Sequence, residues 1–286
     1  DTNDPAIGEP VLTTAQYQAR LNKASIGIRN YMRMPDVVGV IEMENLATLQ
    51  ALATRISNDA VAASQPDPQY AAYLIEGNDI GGIDVGFLVK TATVGANPRV
   101  EVLSVTQELD GTLFTNPDSS TETLNDRPPL MLRAVIHAAN GGTFPVTVIV
   151  NHLRSMNDVD NDVAGSNGWA TLGERVRAKR QAQAIDLANL VQARQTADPA
   201  ERIILVCDFN AFSVNDSLGD LVATICGTPA PDATTAVVGD GADLVNPDLV
   251  NLGPLGAPAE RYSYVFDFTA QMIDHGIVNA ALVNAS

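Results

Sequence analysis

Four apolar runs, far apart in this 286-residue chain, each end in a carboxylate, an amide or an imidazole. Val37-Val38-Gly39-Val40-Ile41 leads into Glu42, and Val148-Ile149-Val150 into Asn151 and His152. Ile203-Ile204-Leu205-Val206-Cys207 leads into Asp208 and Asn210, and Ile273 stands beside Asp274 and His275. Short runs rich in Val and Ile read as buried strands. Polar groups at the ends of core strands converge on one rim of a sheet, where ligand sites form. A single Asp-Phe-Asn after a strand is more often a turn than a site, because Asp and Asn favour turns. Four such endings together point to a site. Its donors are mainly oxygen, which suits Mg²⁺ or Mn²⁺, with Ca²⁺ an alternative, better than Zn²⁺.

The rest of the chain supplies the scaffold. Thr13 or Thr14 caps a helix carrying Tyr17, Leu21, Ile28 and Met32 at helical spacing, and Pro35 ends it. Asn45 caps a second helix with Leu49, Leu52 and Ile56 on one face. Further strands are expected at 85–89, 100–105, 130–136, 146–150, 203–207, 262–266 and 273–278, and a long helix at 172–196. The connecting stretches 110–127, 156–167 and 227–258 are polar or rich in Gly and Pro. Antiparallel strand pairs mixed with helices predict an α/β fold of the α+β type, a two-sheet sandwich with helices outside it. There is no repeat and no linker on the scale of a domain, so residues 1–286 read as one domain.

With 34 acidic and 17 basic residues the net charge is −17, which favours solubility and opposes binding to a polyanion unless metal ions and a local basic patch compensate. No apolar run approaches the roughly 20 residues that cross a bilayer. The two cysteines, Cys207 and Cys226, form neither a zinc site by themselves nor a disulfide framework, and Cys207 reads as a buried free thiol. Phosphate-binding loops, zinc-protease helices, nucleophile elbows and dinucleotide fingerprints are all missing from the sequence.

The ordered set of motifs resembles the endonuclease/exonuclease/phosphatase (deoxyribonuclease-like) superfamily, and within it predicted bacterial extracellular nucleases. Asp36-Val37-Val38-Gly39-Val40-Ile41-Glu42 is similar to its strand bearing a metal-binding Glu. Val150-Asn151-His152-Leu153-Arg154-Ser155 is similar to its Asn-His-x-Lys/Arg-Ser segment, and Cys207-Asp208-Phe209-Asn210-Ala211 to its Gly-Asp-Phe-Asn-Ala signature, with Cys in place of Gly. Tyr262-Ser263-Tyr264-Val265-Phe266, Ile273-Asp274-His275 and Arg127-Pro128-Pro129-Leu130 fit the nuclease subgroup.

The resemblance implies a four-layer deoxyribonuclease-like architecture and hydrolysis of phosphodiesters by in-line attack of water with a divalent metal. It assigns Glu42 and Asp208 to the metal. His152, Asp208, Asn210, Asp274 and His275 become the catalytic groups, and Arg127, Asn151 and Arg154 hold substrate. It implies DNA, RNA or another phosphodiester as partner and a secreted or periplasmic bacterial location. Against the superfamily pattern, the first strand with its Asn and the last Ser-Asp-His strand are expected to be lacking. Other readings are a phosphatase of lipid or sugar phosphates, and a binding domain of the same fold with impaired chemistry.

Two further features stay open on sequence grounds. Arg175, Arg177, Lys179 and Arg180 gather at the start of the long helix, either to bind phosphates or as a solvated face with ion pairs. Asp158, Asp160 and Asp162 alternate as in a calcium loop but lack the Gly and Glu of an EF-hand.

Overall fold

The computed structural model describes residues 11–285. The fold is mixed α/β, with several sheets and helices. It divides into two compact units, residues 1–107 with 130–146, and residues 108–129 with 147–286. Among the described residues no helix is long and apolar enough to cross a membrane.

In the first unit, α1 (Thr14–Ile26) starts from a capping box: the Thr13 hydroxyl accepts from the Gln16 amide, and the Gln16 side chain accepts from the Thr13 N–H. The helix runs on into a wider turn, Gly27–Tyr31, before Pro35. β1 (Val37–Met43) then leads to α2 (Leu46–Ala62), capped as expected by Asn45, whose side-chain oxygen accepts from Thr48 N at 2.8 Å. β2 (Tyr70–Leu74) and β3 (Asp84–Lys90) complete an antiparallel sheet of order β1-β3-β2. Leu21, Ile28, Val38, Leu49, Leu52, Ile56, Tyr70, Leu74 and Leu88 form the core between helices and sheet. Gly86 marks the closest approach, since a Cβ there would stand 2.8 Å from Tyr73 O and 2.9 Å from Leu49 Cδ2. β4 (Val100–Gln107) and β5 (Leu130–His137) pair antiparallel in the same unit.

In the second unit, the Thr147–His152 stretch of β6 (Thr143–His152) pairs in parallel with β7 (Ile203–Asp208). β8 (Asp274–Val278) pairs antiparallel with β7, and Val250–Asn251 lies on its other edge. The long helix α3 (Leu172–Ala197) is capped by Thr171 and buries Val176, Ala184, Leu187, Ala188 and Val191 completely. The short α4 (Leu221–Cys226) ends at Gly227, whose φ of +83° closes the helix in the left-handed region. Tyr264–Phe266 and Thr269–Gln271 form a separate exposed hairpin.

One buried charge in the first unit sets a pH dependence. Asp84, 4 % exposed at the start of β3, accepts the Gly77 N–H at 2.7 Å. Burial pushes its carboxyl from 3.8 up to about 6, and the Glu76 and Asp79 side chains act in the same direction. The folded protein therefore keeps this proton to higher pH than the unfolded chain, and stability is lost as pH rises from about 4 through 6. Asp84→Asn keeps an acceptor for Gly77 and removes the ionisation. We expect it to raise stability by about 1 kcal/mol at pH 7.5 and to leave it unchanged near pH 4. Urea unfolding at the two pH values checks this; an equal effect at both would refute it.

Candidate active site

The end of β7 departs from ordinary strand geometry in a way the sequence only hinted at. Cys207 has φ +87° and Asn210 φ +49°, so the chain turns through left-handed conformations on both sides of Asp208 and Phe209. Asn tolerates such a turn better than most residues, and glycine takes it without strain. Cys207 takes it with a side chain attached. The strain explains why a glycine would suit this position.

Register then brings the polar strand ends together. β6 and β7 are parallel neighbours with Asn151 opposite Cys207 and His152 opposite Asp208, while β8 places Asp274 opposite Asp208 and His275 opposite Cys207. Register partners present their side chains on the same face. Asn151, His152, Asp208, Asn210 and His275 are all less than one-tenth exposed. Asp208 Oδ1 accepts the Asn210 N–H at 2.6 Å, and Asp208 Oδ2 lies 3.6 Å from His152 Nε2. That separation is too long for a hydrogen bond. Burial pushes the His152 imidazole down to about 3, with the Arg127 charge acting in the same direction, so the ring is neutral at physiological pH. The carboxylate at 3.6 Å would by itself favour the cation; burial outweighs it. Two buried atoms here, Asn151 Oδ1 and His152 Nδ1, have no hydrogen-bond partner among the described residues. Such groups are costly to bury unless something else satisfies them.

The remaining expected residues divide. Arg127 Nε and Nη2 point at His152 O and Leu153 O, at 3.4 and 3.2 Å. Arg154 keeps its guanidinium partly exposed, 3.9 Å from Asp126. His275 has both ring nitrogens engaged: Nε2 faces Ala211 O at 2.9 Å, and Nδ1 faces the Asn251 amide at 3.1 Å. A ring held at both nitrogens has none to offer a substrate, so in this geometry His275 holds the Asp208–Ala211 turn in place. Glu42 belongs to the first unit, exposed at a β-bulge in β1 with φ +54°. Its expected metal role rests on the motif resemblance.

The basic cluster forms the ion pairs that one of its two readings expected, on a face that is partly buried. Lys179 and Arg180 are buried, and all four cations are bound to the protein itself: Arg175 to Glu122, Arg177 to Val159 O, Lys179 to Glu122 and Asp126, Arg180 to Arg154 O and Asn210 O. Gln183 and Asn251 were missed as contributors. The signal for Gln183 and Arg180 was in the sequence, because both interrupt the apolar stripe of Val176, Ala184, Leu187 and Val191 on α3. Asp158, Asp160 and Asp162 are exposed, and among the described residues no three His, Cys, Asp or Glu side chains are gathered to hold a metal ion.

Strain at Cys207 gives a stability prediction. Cys207→Gly should stabilise the protein by about 1 kcal/mol, since a left-handed non-glycine residue costs roughly 1–2 kcal/mol and the entropy of glycine returns part of it. A lower denaturation midpoint in the variant would show that the side chain contributes more than its conformation costs.

No family model matches the chain, and no curated protein does. Solved structures do. An endonuclease/exonuclease/phosphatase family protein from Bacteroides thetaiotaomicron superimposes with a TM-score of 0.50 at 14 % identity, covering 98 % of this chain and 79 % of that one. The human Nocturnin catalytic domain with bound sulfate gives 0.50 at 13 %, over 91 % and 75 %. ANGEL2, described as a 2′,3′-cyclic phosphatase, gives 0.50 at 13 %, over 95 % and 75 %. At such identities the likeness is one of architecture, and it agrees with the motif order: the chain has the fold of the endonuclease/exonuclease/phosphatase proteins.

Proposed function

We propose that the chain is a divalent-metal-dependent phosphoesterase that cleaves phosphodiesters by attack of water. The observation that carries this reading is the buried His152 imidazole beside the Asp208 carboxylate, 3.6 Å away where β6 and β7 end. Asp208 and Asp274, as cross-strand partners, are donors of the kind that Mg²⁺ or Mn²⁺ takes. They fit in kind more than in number, which is usual for Mg²⁺, since it binds through one or two carboxylates and completes its shell with water and substrate phosphate. When bound, such an ion neutralises developing charge on phosphate oxygens.

The protein's own groups supply the rest. A neutral His152 can give an N–H to a phosphate oxygen without carrying a charge into the site. Asp208, whose Oδ1 accepts the Asn210 N–H, would take the proton from an attacking water. Arg127 adds fixed positive charge beside His152, close enough to push its proton affinity down. The resemblance favours a nuclease. A small phosphoester is the second reading, favoured by one observation: the four cations that one reading of the sequence assigned to phosphates are bound to carboxylates and carbonyls of the protein.

Hydrolysis of bis(p-nitrophenyl) phosphate, of DNA and of RNA, each with Mg²⁺, with Mn²⁺ and with chelator, tests the proposal. We expect chelator to abolish turnover, and Asp208→Asn or His152→Ala to lower kcat by roughly 10²–10⁴. Wild-type protein inert on every diester, or active in chelator, would sink it. Weak dependence of KM on salt would mark the small substrate, because a polyanion loses affinity steeply as salt rises.

A further inference from the structure

We propose that Arg180 is a positioning residue for this site: its guanidinium fastens the segments leaving β6 and β7 to helix α3 and so sets the approach of His152 to Asp208. The proposal rests on the reading of His152 and Asp208 as reacting groups, and it adds a residue that the motif resemblance did not mark. Arg180 is 4 % exposed. Its Nη1 donates to Arg154 O at 2.8 Å, two residues past His152, and its Nη2 donates to Asn210 O at 2.7 Å, two residues past Asp208. A planar guanidinium can bind two diverging carbonyls at once, which a lysine ammonium on its single stem cannot do with the same geometry.

The surrounding bonds show that this strut completes a series. Three consecutive carbonyls from the last residue of β6 onward are each held by a side chain: His152 O by Arg127, Leu153 O by Arg127 and Asn210, and Arg154 O by Arg180. Gln183, one turn along α3, grips the other side of the Arg154 peptide, its Oε1 accepting the Arg154 N–H at 2.8 Å while its Nε2 donates to Leu124 O at 2.9 Å. Leu153 N donates to Asp208 O at 3.1 Å, tying the two segments directly. Arg180 is the member of this set that holds both segments to a third, rigid element. A buried cation is expensive unless compensated, and here Asp208 and Asp216 offset the charge, with Arg154 opposing. Burial lowers its pKa to about 10, so it remains a cation at neutral pH.

The test compares Arg180→Met, Arg180→Lys and Gln183→Met with wild type in three measurements. These are urea unfolding, kcat and KM on bis(p-nitrophenyl) phosphate with Mn²⁺, and the imidazole ¹H–¹⁵N correlations of the metal-free protein. The chain has only three histidines, so the spectrum is readily assigned. We expect Arg180→Met to stay folded, to shift the His152 correlation while leaving that of His137 unchanged, and to lower kcat about 100-fold, the scale of a 1 Å misplacement. KM should stay within about threefold. Arg180→Lys should keep one of the two bonds and recover part of kcat. Arg180→Met with wild-type kcat and an unmoved His152 signal overturns the proposal, as does a fall in kcat that only tracks the unfolded fraction. Should Arg180→Met not fold, Arg180→Lys decides: a displaced His152 signal in a folded protein supports the strut, and an undisplaced one refutes it. If wild type hydrolyses no diester, the function proposed above fails, while the His152 signal still reports whether Arg180 sets the ring's position.

Discussion

The parallel pairing of β6 with β7 is the constraint on which the candidate site depends. Parallel register fixes which strand ends face one another: Asn151 falls opposite Cys207 and His152 opposite Asp208. A slip of one residue would turn every side chain to the other face, and the imidazole and the carboxylate would part. The register is defended on both sides. Ile149, Val150, Ile203 and Leu205 are buried among apolar neighbours, so the strands cannot shift without exposing them. Beyond the last pair, Leu153 N still donates to Asp208 O, which carries the pairing into the loops.

The second unit buries a set of polar side chains around its strand ends. Asn151, His152, Lys179, Arg180, Gln181, Gln183, Asp208, Asn210 and His275 are all buried, and most of them bind protein groups. Helix α3 makes this possible by presenting an apolar stripe interrupted by Arg180 and Gln183. The apolar residues supply the transfer free energy that holds the helix in place. The polar ones meet the loop amides and carbonyls that would otherwise be buried without partners. Packing and polar satisfaction are thus joined in one element.

Much of this was legible in the sequence. The apolar runs ending in Glu42, Asn151 and Asp208 lie on the strands expected, Asp274 opens a strand instead of ending one, and the caps at Thr13 and Asn45 act as read. What escaped has physical reasons. β2, Tyr-Ala-Ala-Tyr-Leu, carries alanines where a strand signal needs larger side chains, and its partner β3, buried along nearly its whole length, supplies the pairing that makes it a strand. Local sequence could not tell that Arg175, Arg177, Lys179 and Arg180 face inward, because their partners Glu122, Asp126 and the carbonyls of Val159, Arg154 and Asn210 come from elsewhere in the chain. His275 looked reactive for a similar reason: the two groups that occupy its nitrogens, Ala211 O and the Asn251 amide, are 64 and 24 residues away. The left-handed turn at Cys207 was foreshadowed only by the glycine expected there.

That same cysteine gives the strand end a chemical clock. Burial, reinforced by the charges of Asp274 and Asp208, pushes the Cys207 thiol up to about 12, and burial does the same for Cys226. At neutral pH the folded protein then holds very little thiolate at either position, and the thiolate is the reactive form. The half-buried Cys207 thiol is therefore expected to react with alkylating reagents chiefly when β7 separates from β6 or β8. The rate at which Cys207 is labelled in the intact protein measures how often the strand that carries Asp208 comes loose, and a substrate that rests on that strand would slow the labelling without touching the sulfur.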